Sequence, residues 1–252
     1  MEMHDKEPDP YTSGQFWDNI PGYLQEQAPN KISHLLRLVD FDNLFKNLPS
    51  RSFSIADIGC GAGKVSTGLA DRLRVSNPEF NISTYGYDLS PQAIAVAKKG
   101  SYKGEFICGD IRDARRAWDL ALLCDIIEHV DDPEAFLRAV AERARYFVVG
   151  FAMDDNLANR MDKRRRECTI RGGHVNQFNE HKAMAIVNKF GKVLASGYIN
   201  NPLSTNLKIR SVRGLFTLPF RVTLQLLSRR LKGKLFGGES IYFFVKSQLF
   251  AG

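Results

Sequence analysis

Three alternating glycines, Gly59, Gly61 and Gly63, form the stretch of this chain whose residue types are best suited to bind a ligand. An apolar run that begins at Phe53 leads into them, and helix-compatible residues follow. This order is typical of a strand, a tight turn and the start of a helix. Glycine lets the backbone turn sharply and lets a ligand approach closely, while the N–H groups of a helix start face that ligand. The stretch therefore predicts a nucleotide-type site.

The spacing of the glycines narrows this interpretation. A dinucleotide fingerprint reads G-x-G-x-x-G, whereas this chain reads G-x-G-x-G and has Lys64 at the next position. A pyrophosphate cradle is therefore disfavoured. For the glycines alone, an incidental loop in another α/β protein is the alternative.

Four aspartates fall at or near the ends of apolar, strand-like runs: Asp57, Asp88, Asp110 and Asp125. In an open α/β sheet, ligands bind beyond the carboxyl ends of the strands. A carboxylate there can accept hydrogen bonds from ribose hydroxyls, each worth roughly 1.5–3 kcal/mol. Any one of these residues could instead cap a loop, but four of them together with a glycine turn favour a site.

The elements that carry these residues alternate between strand and helix. Ser90-Pro91 and Asp132-Pro133 each place a helix N-cap before a proline at the first helical position. After the strand that leads into the glycines, strands are predicted at 81–87, 105–108, 118–124, 146–151, 193–199 and 240–246. This alternation predicts a doubly wound sheet with parallel strands.

Residues 53–149 resemble the S-adenosylmethionine-binding core of class I methyltransferases, in particular the small-molecule subgroup that includes the ubiquinone and menaquinone biosynthetic enzymes. The matching motifs are Asp57-x-Gly59-x-Gly61-x-Gly63, Tyr87-Asp88-Leu89-Ser90, Gly109-Asp110-Ile111 and Asp125-Ile126-Ile127-Glu128-His129-Val130-x-Asp132-Pro133. The resemblance implies an α/β, doubly wound, Rossmann-like seven-stranded sheet, mostly parallel with an antiparallel last strand. It also implies an N-terminal lid and helices at 1–50, and a methyltransferase domain at 51–252 with acceptor-side insertions near 152–179 and 200–238.

The same resemblance implies S-adenosylmethionine as the cofactor and S-adenosylhomocysteine as the product. The glycine loop would contact the methionine part, Asp88 the ribose, and Asp110 with Ile111 the adenine. Cys124 and Asp125 would lie beside the sulfonium. The complete cofactor-binding set is Asp57, Gly59, Cys60, Gly61, Gly63, Asp88, Leu89, Asp110, Ile111, Cys124 and Asp125.

Two histidines are the candidate catalytic residues, because an oxygen or nitrogen acceptor can need a proton removed and histidine titrates near neutral pH. His129 follows the fourth strand, where capping the loop is an equal alternative to a chemical role. His174 lies between the fifth strand and the next helix, where the family often builds its acceptor site.

Asp125, Glu128, His129 and His174 also resemble the metal-binding constellation of the small-RNA terminal 2′-O-methyltransferases and of some ubiquinone O-methyltransferases. In those enzymes the first acidic residue is usually Glu, whereas Asp is shorter by one methylene and reaches less far. We therefore expect no metal ion at this site.

The net charge of +7 arises from residues 200–238, which contain no acidic residue and the basic residues Lys208, Arg210, Arg213, Arg221, Arg229, Arg230, Lys232 and Lys234. Within this segment, Phe220, Leu224, Leu227 and Leu231 recur at helical spacing, which predicts a basic amphipathic helix from Pro219 to Leu231. Such a helix can cover a hydrophobic acceptor, contact an anionic membrane through residues 208–234, or pack on the sheet with its arginines in water.

The polar N-terminus lacks the pattern of a secretory signal, and no apolar run approaches the length of a membrane span. A cytoplasmic location is expected, with peripheral membrane contact as an extension of it. The leading interpretation is an S-adenosylmethionine-dependent methyltransferase of a small, hydrophobic or anionic acceptor, with O-methylation favoured. RNA methylation is a second interpretation, disfavoured because no recognisable RNA-binding module is present. A non-catalytic cofactor-binding protein is the third.

Overall fold

The computed structural model describes residues 27–100, 103–171, 173–199 and 212–251 of the protein. The expected lid before residue 27, and the part of the basic segment at 200–211, lie outside the described residues. The helices are α1 (Ala28–Leu38), α2 (Phe41–Lys46), α3 (Lys64–Ser76), α4 (Pro91–Lys99), α5 (Pro133–Arg143), α6 (Leu157–Met161), α7 (Lys163–Arg171), α8 (Glu180–Val187), α9 (Val212–Leu227) and α10 (Arg229–Phe236).

The strands are β1 (Ser52–Ile58), β2 (Asn81–Asp88), β3 (Glu105–Cys108), β4 (Trp118–Leu123), β5 (Ala144–Ala152), β6 (Gly191–Tyr198) and β7 (Ser240–Ser247). Short 3₁₀ turns at Ile111–Asp113 and Ile127–His129 follow β3 and β4. Both predicted proline-linked caps are present. Ser90 Oγ accepts the N–H of Ala93 at 3.2 Å, and Asp132 Oδ1 accepts the N–H of Ala135 at 3.0 Å.

The seven strands form one sheet in the order β3-β2-β1-β4-β5-β7-β6. β1 is parallel to β2 and β4, β2 is parallel to β3, and β7 is antiparallel to β6. The predicted α/β, doubly wound, Rossmann-like fold with an antiparallel last strand is therefore confirmed. Because the chain runs outward from β1 to β3 and then returns to β4 on the other side of β1, the carboxyl end of β1 is the switch point at which such sheets bind ligands.

The chain divides into two compact units, and the first contains the described residues up to 122 together with 143–146. Its aromatic side chains pack around β1. Phe45 meets Phe53 edge to face with ring centroids 5.0 Å apart, and it stacks on Phe80 at 4.5 Å. Such pairs contribute about 0.5–1.5 kcal/mol beyond the area they bury. They hold α2 on the strand that leads into the glycine turn.

The second unit contains residues 123–142 and 147–251 as far as they are described. Its antiparallel pair, β6 and β7, runs in register from Gly191 opposite Ser247 to Tyr198 opposite Ile241, with one irregularity between Val193 and Ala195. The ring of Phe151 on β5 meets Phe178 edge to face at 4.9 Å. This contact fixes the end of β5, from which a loop leads towards α6.

The insertion at 152–179 contains two helices, α6 and α7. One local expectation from the sequence was wrong. The basic amphipathic helix does not run unbroken from Pro219 to Leu231, because α9 ends at Leu227 and a new helix begins after Ser228. Ser228 Oγ accepts the N–H of Leu231 at 3.2 Å. Serine caps helices in this way because its hydroxyl competes for backbone N–H groups.

Charged residues of α10 are paired within the second unit. The guanidinium Nε of Arg230 lies 2.7 Å from Glu180 Oε2. Lys232 and Glu239 form an ion pair at 2.5 Å in which both side chains are almost completely buried. These bonds favour the interpretation in which α10 packs on the body of the unit. None of the helices in the described residues is both long enough and apolar enough to cross a membrane.

Candidate functional site

Backbone hydrogen bonds hold the turn after β1 in place. Gly59, Gly61 and Gly63 have φ angles of 70°, 53° and 75°, the left-handed region that glycine adopts without steric cost. The N–H groups of Gly59 and Cys60 donate to the carbonyl of Tyr87 at 2.8 and 3.0 Å, which ties the turn to β2. The three predicted glycines therefore share one backbone feature, and a side chain at any of them would be strained.

Asp88, at the end of β2, braces this turn. Its Oδ2 accepts the N–H of Gly61 at 2.8 Å and its Oδ1 accepts the N–H of Ser90 at 2.9 Å. Burial raises the pKa of Asp88, although the backbone N–H groups favour its charged form. A carboxylate has about four lone-pair sites, so the two oxygens can still accept hydrogen bonds from a ligand. The next residue, Leu89, is exposed.

The space beside the turn is filled by Phe106 and Cys60. A Cβ atom on Gly63 would overlap the ring of Phe106, and a Cβ atom on Gly86 would lie 2.7 Å from both Cys60 Sγ and the Phe106 ring. Burial, reinforced by the neighbouring aspartates, raises the pKa of the Cys60 thiol well above its usual range. Cys60 is therefore a small apolar residue that packs under the turn and not a nucleophile.

The other candidates of the first unit have partners of their own. Asp57 is buried, and its Oδ2 accepts the N–H of Ser66 in α3 at 3.2 Å. Asp110 caps the first 3₁₀ turn and binds the guanidinium of Arg112 at 2.6 and 3.0 Å, which lowers the pKa of Asp110. The side chain of Ile111 is buried. Asp57 thus holds the turn against α3, and Asp110 presents a carboxylate that is already charge-paired.

In the second unit, the turn after β4 carries Cys124, Asp125, Glu128 and His129. Asp125 has a φ of 59°, and its Oδ1 accepts the hydroxyl of Tyr242 at 2.9 Å. Glu128 is 2% exposed, and its Oε2 has no hydrogen-bond partner among the described residues. Burial and the charge of Asp125 raise the pKa of Glu128 to about 8. Cys124 is half-buried.

His129 and His174 meet edge to face, with ring centroids 4.7 Å apart. His129 Nδ1 donates to the carbonyl of Gly173 at 2.9 Å, and His174 Nδ1 donates to Asp154 Oδ2 at 2.5 Å. Each bond keeps a proton on Nδ1, which leaves a lone pair on Nε2 of the neutral ring. Burial lowers the pKa of His129. Burial also opposes protonation of His174, but the hydrogen bond and charge of Asp154 outweigh it and raise the pKa of His174.

A group of three residues in the second unit could hold a metal ion. Glu128, His129 and His174 each offer one ligand atom, and these atoms lie within 4.8 Å of one another. Asp125, the fourth member of the resembling constellation, does not belong to this group. One carboxylate and two imidazoles suit zinc or another transition metal better than magnesium, which prefers oxygen ligands.

Two side chains of this region were not singled out from the sequence. Asp154 follows β5 and fixes His174, which is 20 residues away, while Tyr242 binds Asp125 across 117 residues. The position of Asp154, directly after an apolar strand, was a signal like that of the other aspartates. Tyr242 lies inside an apolar strand, where nothing in the sequence distinguishes it from a core residue.

The comparisons with known proteins begin with residues 56–145, which match the family described as a methyltransferase domain. This range contains the glycine turn, Asp88, Asp110 and the turn after β4. This stretch of the chain resembles a class I S-adenosylmethionine-dependent methyltransferase domain. The resemblance drawn from its motifs is therefore confirmed, and S-adenosylmethionine is the cofactor of this type of domain.

Two relatives show how far the sequence similarity extends. Over 128 residues, this chain is 28% identical to the mitochondrial ubiquinone biosynthesis O-methyltransferase of Saccharomyces cerevisiae, covering 47% of this chain and 39% of the yeast protein. Over 145 residues, it is 29% identical to ajmaline N-methyltransferase of Rauvolfia serpentina, covering 51% of this chain and 50% of the plant protein. The aligned region thus spans half or less of the length of these relatives.

Solved structures extend the likeness to the whole fold. The magnesium protoporphyrin IX methyltransferase of Synechocystis with bound S-adenosylhomocysteine has a TM-score of 0.57 and 16% identity, covering 94% of both chains. The plantazolicin methyltransferase BamL, in complex with S-adenosylhomocysteine and a substrate analogue, has a TM-score of 0.56 and 16% identity, covering 93% of this chain and 89% of that chain. At such identities the likeness shows the fold, which agrees with the observed sheet.

Proposed function

We propose that this methyltransferase transfers the methyl group of S-adenosylmethionine to an oxygen atom of a small, hydrophobic or anionic acceptor. The observation that carries the proposal is the turn after β1, in which three left-handed glycines are braced by Asp88. The glycines let a ligand approach the turn closely, and the Asp88 carboxylate suits the hydroxyl groups of the cofactor. The yeast relative is an O-methyltransferase, which supports oxygen, and the plant relative is an N-methyltransferase, which makes nitrogen the competing acceptor atom.

The first unit would hold the cofactor through the glycine turn, Asp88 and the 3₁₀ turn that Asp110 caps. These residues fit it, because the glycines let a ligand approach without side chains in the way and Asp88 keeps acceptor capacity for ribose hydroxyls. The bound cofactor supplies an electrophilic methyl group on a positively charged sulfur. We further propose, on the resemblance alone, that Cys124 and Asp125 belong to the cofactor-binding residues.

His174 is the proposed general base, accepting the proton of the acceptor hydroxyl at Nε2. Asp154 holds the other ring proton on Nδ1 and so fixes the tautomer, as carboxylates do in catalytic dyads. The hydrogen bond and charge of Asp154 raise the pKa of His174, which strengthens it as a proton acceptor. His129, whose pKa is lowered, stays neutral and is proposed to orient the acceptor. No metal ion is required in this scheme.

Acceptor specificity is proposed to reside in the insertions at 152–179 and 200–238. Large apolar side chains are exposed in both: Met161 is 80% exposed, Leu226 70% and Leu227 78%. Exposed apolar groups on basic segments suit a hydrophobic anionic acceptor, or the surface of a membrane that contains it. Peripheral membrane contact through residues 208–234 is therefore part of the proposal.

Ligand-induced stabilisation tests the cofactor assignment. S-adenosylhomocysteine at about 100 times its Kd should stabilise the native state by about 2.7 kcal/mol, which raises the melting temperature by about 5–10 °C. Asp88→Ala should remove most of this shift, whereas Asp71→Ala on the exposed face of α3 should keep it. A protein that responds to NAD and ignores S-adenosylhomocysteine would overturn the assignment.

A turnover assay tests the acceptor class. Transfer of a labelled methyl group would be measured on phenolic quinol precursors, amines, anionic lipids and RNA under one set of conditions. Transfer to a phenolic hydroxyl is expected. Transfer to RNA or to an amine alone would replace the proposed acceptor, and binding of S-adenosylmethionine without turnover on any of them would favour a non-catalytic role.

A further inference from the structure

The aromatic ring of Phe106 packs against the glycine turn within the first unit. Phe106 is the second residue of β3, and its side chain is buried. The parallel pairing of β2 with β3 places it opposite Gly86. With Cys60, Ile94 and Ala97 it forms a buried apolar cluster. In such a close-packed interior the neighbouring side chains fix the position of the ring.

Three glycines border this ring. A Cβ atom on Gly63 would overlap it, and a Cβ atom on Gly86 would lie 2.7 Å from Phe106 Cδ1. A Cβ atom on Gly104, directly before β3, would lie 3.4 Å from Phe106 Cζ. The ring therefore occupies the space that three absent side chains leave open. Of the three glycines, only Gly63 belongs to the turn itself.

The contact with Gly63 connects β3 to the turn. The N–H of Gly63 donates to the carbonyl of Cys60 at 2.9 Å, which closes the turn. Gly63 is also the N-cap residue of α3. Because the end of the turn and the start of the helix meet at this residue, a displacement of Gly63 moves both. A smaller side chain at position 106 would leave a space into which the turn can shift.

We infer that Phe106 is a positioning residue for the methyl donor, acting through the glycine turn. Its ring supports Gly63 and so keeps the turn in the shape that admits the methionine part of the cofactor. This inference rests on the proposed function, in which the first unit holds the cofactor through this turn. It gives a role to a residue outside every cofactor motif, and to Gly86 and Gly104, which make room for the ring.

The test shortens the side chain and keeps it apolar. In Phe106→Leu, the Kd of S-adenosylhomocysteine should rise at least about tenfold, because a binding surface displaced by about 1 Å loses much of its close contact. The Kd of 5′-methylthioadenosine, which lacks the amino-acid part, should stay within about threefold, since Asp88 and the 3₁₀ turn keep their places. Phe106→Met, whose flexible side chain refills more of the space, should fall between the wild type and Phe106→Leu.

Phe45→Leu is the matched control. Phe45 is another buried ring of the first unit, and it packs on Phe53 near the beginning of β1, whereas the turn follows the end of that strand. This variant should lose thermal stability as Phe106→Leu does, because both leave a cavity in the core. Its Kd for S-adenosylhomocysteine should match that of the wild type.

A second change at the same ring tests the contact itself. Gly86→Ala inserts a methyl group against the ring of Phe106 and should weaken S-adenosylhomocysteine binding by itself. In Phe106→Leu that space is partly open. The double variant should therefore bind at least about threefold more tightly than the product of the two single effects, as residues in contact are not additive.

The outcomes separate the two claims. A Phe106→Leu protein that binds S-adenosylhomocysteine as Phe45→Leu does, or that loses affinity for both ligands equally, overturns the positioning role and leaves the proposed function intact. Full additivity with Gly86→Ala overturns it as well. If Phe106→Leu does not fold, the same comparisons are made with Phe106→Met. A wild-type protein that binds neither ligand overturns the proposed function, and the positioning role with it.

Discussion

Gly63 combines two requirements at one position, because its φ is 75° and the Phe106 ring occupies the space where a Cβ would be. We expect Gly63→Ala to lower stability by roughly 2–5 kcal/mol, since backbone strain and overpacking add. S-adenosylhomocysteine binding should weaken with it. Gly109→Ala is the matched control, because a Cβ there meets nothing within 4 Å. Thermal melts and binding isotherms of both variants check this, and equal behaviour of the two would contradict it.

The base role of His174 predicts a pH profile. The deprotonated ring is the active form, so kcat/KM should rise as pH passes upward through the pKa of His174, which Asp154 raises. Asp154→Asn removes that charge, so the acidic limb should move to lower pH while the maximal rate falls. His174→Ala should lower kcat by roughly 10²–10⁴-fold.

His181→Ala, on the exposed side of α8, is the control for these histidine and aspartate variants and should leave the profile in place. An acidic limb that stays at the same pH in Asp154→Asn would show that His174 is not the titrating base. Initial rates across pH 5–9 in buffers of matched ionic strength would measure the position of the acidic limb.

Chelation distinguishes the base from a metal ion held by Glu128, His129 and His174. We expect prolonged EDTA treatment to leave kcat within about twofold, because a protonated Glu128 is a poor ligand near neutral pH. Activity that disappears with EDTA and returns with zinc, manganese or magnesium would contradict the expectation. Elemental analysis of the purified protein before treatment provides the control.

Sequence reasoning was effective for residues whose role depends on local order. The aspartates near the ends of β1 and β2 lie beside glycines and strand ends. These neighbouring residues identify them as candidates in the sequence. Asp154 and Tyr242 act on residues that are distant in the chain, and only the folded sheet brings them together. The glycine turn could be predicted because the glycines that adopt its φ angles lie close together in the sequence. A contact that forms only through tertiary packing has no characteristic spacing in the sequence.

At the scale of elements, the strands were predicted closely because buried parallel strands are short apolar runs bounded by turn residues. The break between α9 and α10 was missed because apolar residues keep their helical spacing through Ser228. The hydroxyl of that one residue caps the next helix. The helical spacing of apolar residues alone does not show where one helix ends and the next begins.

The apolar face at the end of α9 predicts membrane contact through leucines. Replacing Leu226 and Leu227 together by Ser should weaken binding to phosphatidylserine vesicles at least about tenfold, because each buried leucine contributes about 1.5–3 kcal/mol when fully transferred. Val75→Ser in α3 is the matched control, since Val75 is an equally exposed aliphatic residue in the first unit. Vesicle sedimentation measures both. Equal binding by all variants would remove the membrane from the proposal.

At the scale of the whole molecule, fewer basic side chains are available to bind an anionic surface than the sequence suggests. The formal charge of +7 depends on the segment at 200–238, yet Arg230 and Lys232 are paired with Glu180 and Glu239. We therefore expect vesicle binding to decrease only partly between about 0.1 and 1 M salt, where the screening length falls from about 10 to 3 Å. Complete loss of binding, or retention of RNA instead of vesicles, would contradict this.

The buried pair of Lys232 and Glu239 constrains how the sequence of this protein can evolve. A single substitution that removes either partner leaves the other charge buried alone, at a cost of about 3–5 kcal/mol, whereas an apolar pair of similar volume can be neutral or stabilising. Descendant sequences should therefore change the two positions together or leave both as they are.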